Sequence, residues 1–314
     1  MEMMKKKKID LGSLGPMLAL VILVIVVTTL NSNFITPNNL LNLLRQVSIN
    51  ALIAFGMSFV ILTGGIDLSV GSTLALSGAL TAGLIASGIS PALAMLIGML
   101  LGAGLGMLNG FLITKGKLAP FIATLATMTI YRGATLVYTD GNPITGIGDS
   151  FLFQFMGKGY LFGVPFPIIV MILFFLVLYV VLHKTAFGKK TYAIGGNIKA
   201  AQIAGVKTDR IQIIIYTISG FMASISGIIL TSRLNSAQPT AGQAYEMDAI
   251  AAVVLGGTSL SGGKGRLVGT LFGALIIGTI NNGLNLLGVS SFYQQVVKGL
   301  VIIVAVLLDR KKNN

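Results

Sequence analysis

The sequence predicts an all-α, polytopic membrane protein: a bundle of about ten transmembrane helices. Three observations predict this class. Hydrophobic residues make up 54% of the 314 residues, charged residues make up only 10%, and the mean hydropathy is +0.89. A soluble domain carries about 25% charged residues, so most of this chain cannot face water. The chain has no Cys, which excludes disulfides and thiolate metal sites.

Ten apolar runs approach the roughly 20 residues that a helix needs to cross a bilayer. The first run follows four lysines at 5–8, and no small-residue cleavage site follows it, so it is predicted as an uncleaved span and not a signal peptide. Two runs are irregular: 41–63 begins with Arg45, and 246–260 is short and acidic, so eight spans is the alternative. The predicted spans are 14–30, 41–63, 68–88, 91–114, 118–138, 165–183, 211–231, 246–260, 267–287 and 291–308.

The basic residues predict the orientation of these spans. With the N-terminus inside, 17 of the 22 Lys and Arg residues fall in cytoplasmic segments, whereas Lys158 and Arg233 fall outside. This asymmetry is what the positive-inside rule requires, and it explains the net charge of +13 without nucleic acid. The sequence therefore predicts a basic cytoplasmic tail at 1–13, a membrane domain at 14–308 and a cytoplasmic tail at 309–314, with both chain ends on the cytoplasmic side.

Small residues recur four apart within several spans, which lets helix backbones approach closely in a membrane. The longest such face is Gly98, Gly102, Gly106 and Gly110, and shorter ones are Ser219, Ala223 and Gly227, and Gly269 and Gly273. A compact bundle is expected. The segments 64–71 and 256–263 also match each other, and both follow a span that runs inward, which predicts a parallel internal repeat; two similar tight turns are the alternative.

The sequence carries little material for enzyme chemistry. The glycine-rich segment around Lys264 lacks the Ser or Thr of a phosphate loop, and His183 lies at a helix end, where it complements the helix dipole. No catalytic residue, metal site or cofactor is predicted, so the energy for any uphill movement of a solute has to come from an ion gradient or from a partner. An ion-coupled carrier needs acids at membrane depth. Asp67 lies beside an inner break, and Glu246 and Asp248 begin a span where the helix dipole favours them, which leaves poor support for ion coupling.

The longest cytoplasmic segment, 184–210, contains a short capped helix. Asn197 is a good N-cap, residues 198–204 favour a helix, and Gly205 is a good stop. Ala200, Ala201 and Ala204 are expected to form a small-residue face. A helix this short needs something to pack on: the protein's own helix ends or another subunit.

Four stretches resemble the membrane permeases of bacterial sugar ABC importers, particularly those of ribose type. They are GIDLSVGSTLALSGAL (66–81), AIGGNIKAAQIAGV (193–206), 236–266 and 281–299, within a similarity that covers about 30–312. The segment NNGLNLLGVSSFYQ at 281–294 points to ribose. The resemblance implies a dimer of permeases, a cytoplasmic ATP-binding subunit, and a periplasmic or lipid-anchored sugar-binding protein. It also implies that 193–206 holds the helix that couples to the ATPase.

Two sets of candidate residues are expected to carry the function. The expected ATPase-coupling residues are Gly195, Gly196, Asn197, Ala200, Ala201 and Gly205. Neutral amides and an aromatic ring suit a neutral sugar, so the expected sugar path comprises Asn281, Asn282, Asn285, Tyr293 and Gln294; hydrogen bonding between helices is the alternative role. The sequence thus predicts a ribose importer subunit, with an ion-coupled carrier, a permease for xylose, galactose or a signalling sugar, and a channel or scaffold as alternatives.

Overall fold

The computed structural model describes residues 11–147 and 150–313. Within these residues the chain forms α-helices, a short 3-10 helix (Ser32–Ile35) and one two-stranded antiparallel hairpin, β1 (Tyr160–Leu161) with β2 (Val164–Pro165). The helices are α1 (Leu11–Leu30), α2 (Pro37–Leu62), α3 (Val70–Ala86), α4 (Pro91–Thr114), α5 (Pro120–Thr139), α6 (Phe151–Lys158), α7 (Phe166–Lys184), α8 (Ala186–Gly196), α9 (Ile198–Ile203), α10 (Thr208–Leu234), α11 (Tyr245–Leu255), α12 (Leu267–Leu286) and α13 (Ser291–Asn313). The predicted helical membrane bundle is confirmed. Of the predicted tails, residues 1–10 lie outside the described part, and α13 stays helical through 309–313.

Local sequence signals set many of the helix ends. Pro37, Pro91 and Pro120 each begin a helix, where the missing N–H of proline costs nothing. Asp140 and Asn235 end α5 and α10 in the left-handed conformation, with φ of 49° and 50°. These two residue types tolerate that conformation better than other side chains do, so the helices stop there.

A helix lies over most of each of the ten predicted spans, but the helices are not equally able to cross a membrane. Among the described residues, five are long and apolar enough, namely α2, α4, α7, α10 and α12, and shorter apolar helices lie at 15–30, 70–86 and 291–304. The irregular run 41–63 does form a helix long enough to span the membrane, because α2 runs unbroken through Arg45 for 26 residues. The run 246–260 does not form a full span: α11 has 11 residues and is about 16 Å long, which is half the thickness of a bilayer core.

The central helix α10 packs against α2, α3 and α4, and small residues line these contacts. A Cβ on Gly106 would overlap the carbonyl oxygen of Tyr216, and one on Gly110 would lie 2.6 Å from the Cα of Ile213. Further along α10, Gly227 lies against the backbone of Leu74 in α3. The prediction that the small-residue faces bring helix backbones together is confirmed.

The bundle has two opposite ends, which we call the basic face and the hairpin face. The basic face carries the start of α10, α8 and α9, and the Lys115–Asp209 ion pair (2.7 Å). The hairpin face carries the end of α10, α6 and the β1–β2 hairpin. The side chains of α6 pack there, with Gly157 against the backbone of Arg233.

Two crossings of the bundle are part helix and part extended chain, and they meet in its interior. After α2 reaches the basic face, residues 63–69 turn back, and α3 begins level with the middle of α10, because Asp67 accepts a hydrogen bond from the Ser219 hydroxyl (2.8 Å). Residues 235–244 enter from the hairpin face, and a Cβ on Gly71 would overlap the carbonyl oxygen of Gly242. The half-length α11 starts at this junction and descends to the basic face.

The two segments that match in sequence, 64–71 and 256–263, pack on each other, with Gly262 against the Gly64 nitrogen. The internal duplication that this match predicts stays a prediction.

Candidate functional site

A polar cavity of about 230 Å³ extends from the hairpin face to the start of α11. We call it the amide cavity. It lies between α2, α11, α12 and α13, with Arg233 at the end of α10 on its rim. Its lining residues are Gln46, Val47, Ile49, Asn50, Arg233, Tyr245, Asp248, Gly278, Asn281, Asn285, Gln294 and Lys298.

Three of the five predicted sugar-path residues line this cavity, and two do not. Asn281, Asn285 and Gln294 are lining residues, and the Gln294 amide donates to the Asn285 side chain (2.8 Å). Asn282 instead exchanges two hydrogen bonds of 2.9 Å with Asn39, which joins α12 to α2. Tyr293 is 71% exposed and is not one of the residues that line the cavity.

The cavity floor carries an ion pair that the sequence prediction did not include. Asp248 is 3% exposed and accepts a 2.8 Å hydrogen bond from the Lys298 ammonium, which ties α11 to α13. Removing both charges from water is costly, and their pairing offsets that cost. The missed signal is the short acidic start of α11 together with a lone lysine inside an apolar span.

The amide cavity offers donors and acceptors suited to a neutral polyol. Asn281 Oδ1 is buried and has no hydrogen-bond partner among the described residues, so it is an acceptor available to a ligand. Gln46 and Asn50 add two further amides, and Tyr245 adds an aromatic ring and a hydroxyl. A sugar hydroxyl both donates and accepts, so neutral amides can pair with it without a net charge.

The buried acid Asp67 has a structural environment, distinct from the amide cavity. It is 1% exposed, and the Ser69 backbone N–H, the Ser69 hydroxyl and the Ser219 hydroxyl all donate to it. Asn109 extends the network by donating to the Ser69 hydroxyl (2.8 Å). These bonds fix the extended segment before α3. In the described residues no cluster of three or more His, Asp or Glu side chains could hold a metal ion.

On the basic face, α8 and α9 form a bent pair that we call the elbow. The Asn197 side chain accepts a 3.0 Å hydrogen bond from the Ala200 N–H, and Gly205 follows α9 with φ of 80°. The predicted start at 198 and both predicted caps are confirmed, while α9 ends at Ile203, one residue before the predicted end. The predicted small-residue face is wrong in one respect: Ala200 and Ala204 are exposed, but Ala201 is 4% exposed and belongs to the protein's own core.

The elbow presents an apolar side chain to its surroundings and packs closely on the chain behind it. Ile203 is 89% exposed, which sequence reasoning missed. Behind α9, a Cβ on Gly195 would overlap the Leu62 carbonyl oxygen, whereas one on Gly196 would meet no atom within 4 Å. The Tyr192 hydroxyl donates to the Gly265 carbonyl (2.8 Å); burial raises the pKa of that phenol, so it remains a donor at neutral pH.

Comparison with known proteins identifies the family to which this chain belongs. Residues 39–306 match the family described as branched-chain amino acid transport system / permease component. The chain belongs to this permease family. It is 69% identical over 300 residues to the ribose import permease protein of Bacillus subtilis (strain 168), covering 96% of this chain and 93% of that protein.

Two further permeases are similar to this chain at lower sequence identity. The ribose import permease protein of Escherichia coli (strain K12) is 52% identical, over 94% of this chain and 93% of its own length. The L-arabinose transport system permease protein of the same strain is 41% identical, over 95% and 90%.

A solved structure supports the fold alone. It is an inward-facing ABC transporter described as metal-chelate type, with a TM-score of 0.53 and 14% identity over 93% of this chain and 97% of that one.

Proposed function

We propose that this chain is the transmembrane permease subunit of a bacterial ABC importer for ribose. The observation that carries the proposal is the 69% and 52% identity to ribose import permeases over more than nine-tenths of the chain. The permeases for D-allose and L-arabinose are 43% and 41% identical, which favours ribose over another sugar.

The amide cavity is the proposed sugar path. Its unpaired Asn281 oxygen and its side-chain amides suit hydroxyl groups, and its reach from the hairpin face to the start of α11 suits passage through the bundle. Alternating access by rigid movement of the helices would then open the cavity to either side in turn. α11 is well placed for this movement, because its first turn forms the cavity floor and its last turn precedes the loop that packs on the elbow.

The energy for transport is proposed to come from ATP bound by a cytoplasmic partner subunit and not by this chain. The elbow is the proposed docking element, with Ile203 inserted into the partner and the predicted residues Gly195, Gly196, Asn197, Ala200, Ala201 and Gly205 shaping it. A second copy of the permease and an external sugar-binding protein complete the proposed importer. The basic face is then cytoplasmic, with both chain ends on that side, in the cytoplasmic membrane.

An ion-coupled carrier is the rival mechanism, and the buried Asp67 is the acid it would use. Three hydrogen bonds within the chain already engage that carboxylate, which supports a structural role. The two mechanisms differ in the energy source for uptake: an ATP-driven importer needs its ATPase, whereas a carrier needs an ion gradient.

Transport assays test the proposal. Labelled ribose uptake by cells that carry the complete importer should exceed xylose uptake, and should persist when ion gradients are collapsed at constant ATP. Asn285→Leu should slow uptake at an unchanged protein level, whereas Asn38→Leu, which alters an exposed amide at the start of α2, should not. Loss of uptake with the ion gradient would refute ATP drive, and normal transport by Asn285→Leu would remove that amide from the path.

Docking of the ATPase is tested on the elbow itself. Ile203→Glu should leave the permease folded, because the side chain is already exposed, but should abolish co-purification of the ATPase and uptake together. Ile203→Leu is the matched control and should retain both. Ala201→Glu is unsuitable, because it would bury a charge inside this chain. Full ATPase recovery with Ile203→Glu would show that the partner docks elsewhere.

A further inference from the structure

The tip of the β1–β2 hairpin holds a phenylalanine in a backbone conformation that suits it poorly. The two turn residues, Phe162 and Gly163, have φ of 52° and 78°. Two-residue hairpin turns with positive φ at both positions favour Asn followed by Gly, because a bulky side chain is strained in the left-handed region. Phe162 therefore departs from the residue type that would stabilise the turn.

The Phe162 side chain gains little from its own chain in return. It is 96% exposed, and its neighbours Tyr160 and Leu161 are 53% and 40% exposed. On the adjacent α6, Phe151 is 79% exposed. We call these four residues the aromatic patch. The exposure of the Phe162 ring and the strain in its backbone together indicate that something other than water covers the ring.

The aromatic patch directly precedes α7, whose exposed apolar surface begins at Ile172. The hairpin is bonded to the first residue of that helix, Phe166, whose N–H donates to the Gly159 carbonyl (2.8 Å). Further along α7, Leu173 and Leu176 are 56% and 54% exposed, as expected for a lipid-facing surface of a helix that can span a membrane. A patch joined to the end of a membrane-spanning helix lies near the boundary of the bilayer, which points to lipid as its occupant.

Charged groups flank the patch at the level where headgroups would lie. Arg45 donates a 2.5 Å hydrogen bond to the Tyr160 hydroxyl, and its guanidinium carbon lies 5.1 Å from the centre of that ring. Lys158 ends α6 and is exposed. Aromatic rings beside cationic side chains are typical of the membrane–water interface.

We propose that the aromatic patch is a membrane anchor: α6 and the hairpin lie in the headgroup region at the hairpin face, with the Phe162 ring inserted among the acyl chains. The anchor fixes the start of α7 and, through Arg45, the α2 wall of the amide cavity relative to the bilayer. This inference is independent of the transported sugar and of the energy source.

Tryptophan fluorescence tests the anchor directly, because the chain has no Trp. Phe162→Trp supplies a single reporter in the full-length permease, reconstituted in nanodiscs of phosphatidylcholine and phosphatidylglycerol that carry bromine at defined acyl positions. Leu173→Trp on α7 is the deep-membrane control. Ile203→Trp on the elbow is the aqueous control, because it is similarly exposed but lies on the basic face.

The expected result is that Phe162→Trp loses most of its emission to bromine near the headgroup and less to bromine near the chain end, while Leu173→Trp shows the reverse order. Iodide in the buffer should quench Ile203→Trp strongly and Phe162→Trp weakly. Strong iodide quenching of Phe162→Trp without bromine quenching would overturn the proposal. Protection from iodide only after a purified sugar-binding protein is added would also overturn it, in favour of a protein partner.

Discussion

Gly106 offers a quantitative test of how α4 and α10 are packed. A Cβ added at this position falls on the Tyr216 carbonyl oxygen and lies 3.0 Å from the Gly220 nitrogen. Both obstacles are backbone atoms of the central helix, so they cannot rotate away as a side chain would. Gly106→Ala must therefore separate the two helices or bend one of them.

The expected change in the free energy of unfolding for Gly106→Ala is the sum of two opposing effects. Overpacking a close contact costs about 1–3 kcal/mol, and a backbone obstacle favours the upper end of that range. Replacing Gly by Ala inside a helix returns about 1 kcal/mol. We expect Gly106→Ala to destabilise the protein by about 2 kcal/mol, given those two terms.

Gly104→Ala is the matched control on the same helix. A Cβ there meets no atom within 4 Å, so the propensity gain of about 1 kcal/mol should appear undiminished. Thermal unfolding in detergent, followed by the fraction of monodisperse protein after heating, compares both variants with the wild type. Equal unfolding temperatures for the two variants would refute the close approach of α4 to α10.

The remaining predictions concern the elbow and the cavity floor. Gly195→Ala should disrupt the elbow and lower ATPase co-purification, because its Cβ would strike the last carbonyl of α2, whereas Gly196→Ala, which points into open space, should be tolerated in the same pull-down. Asn197→Ala should destabilise the elbow by about 1 kcal/mol through loss of its cap, seen as faster amide exchange in α9 with the bundle unchanged. Asp248→Asn should lower the free energy of unfolding by about 1–3 kcal/mol, because the half-buried Lys298 ammonium loses its carboxylate partner. Adding Lys298→Met should restore most of that loss, and no rescue by the double variant would contradict the pairing.

Sequence patterns determined the elements that depend on short stretches of chain. Long apolar runs have to be helical in a bilayer, so the positions of most spans followed directly, and the spacing of Gly102 and Gly106 placed a close helix contact on the correct face. The caps Asn197 and Gly205 defined α9, because capping depends on residue type and local backbone geometry.

Tertiary structure decided how distant segments meet. The stretch from Tyr245 to Leu255 is visibly short for a span, but its depth in the bundle depends on how 235–244 packs on Gly71, which the sequence does not show. Asn282 and Asn285 lie three residues apart and look equivalent in sequence, yet Asn282 bonds to Asn39 of α2 while Asn285 faces the amide cavity. Likewise Ala201 is buried although it was expected on an outward face, and Ile203 is exposed, because contact with α8 and α10, not hydrophobicity, fixes which side of a six-residue helix is buried.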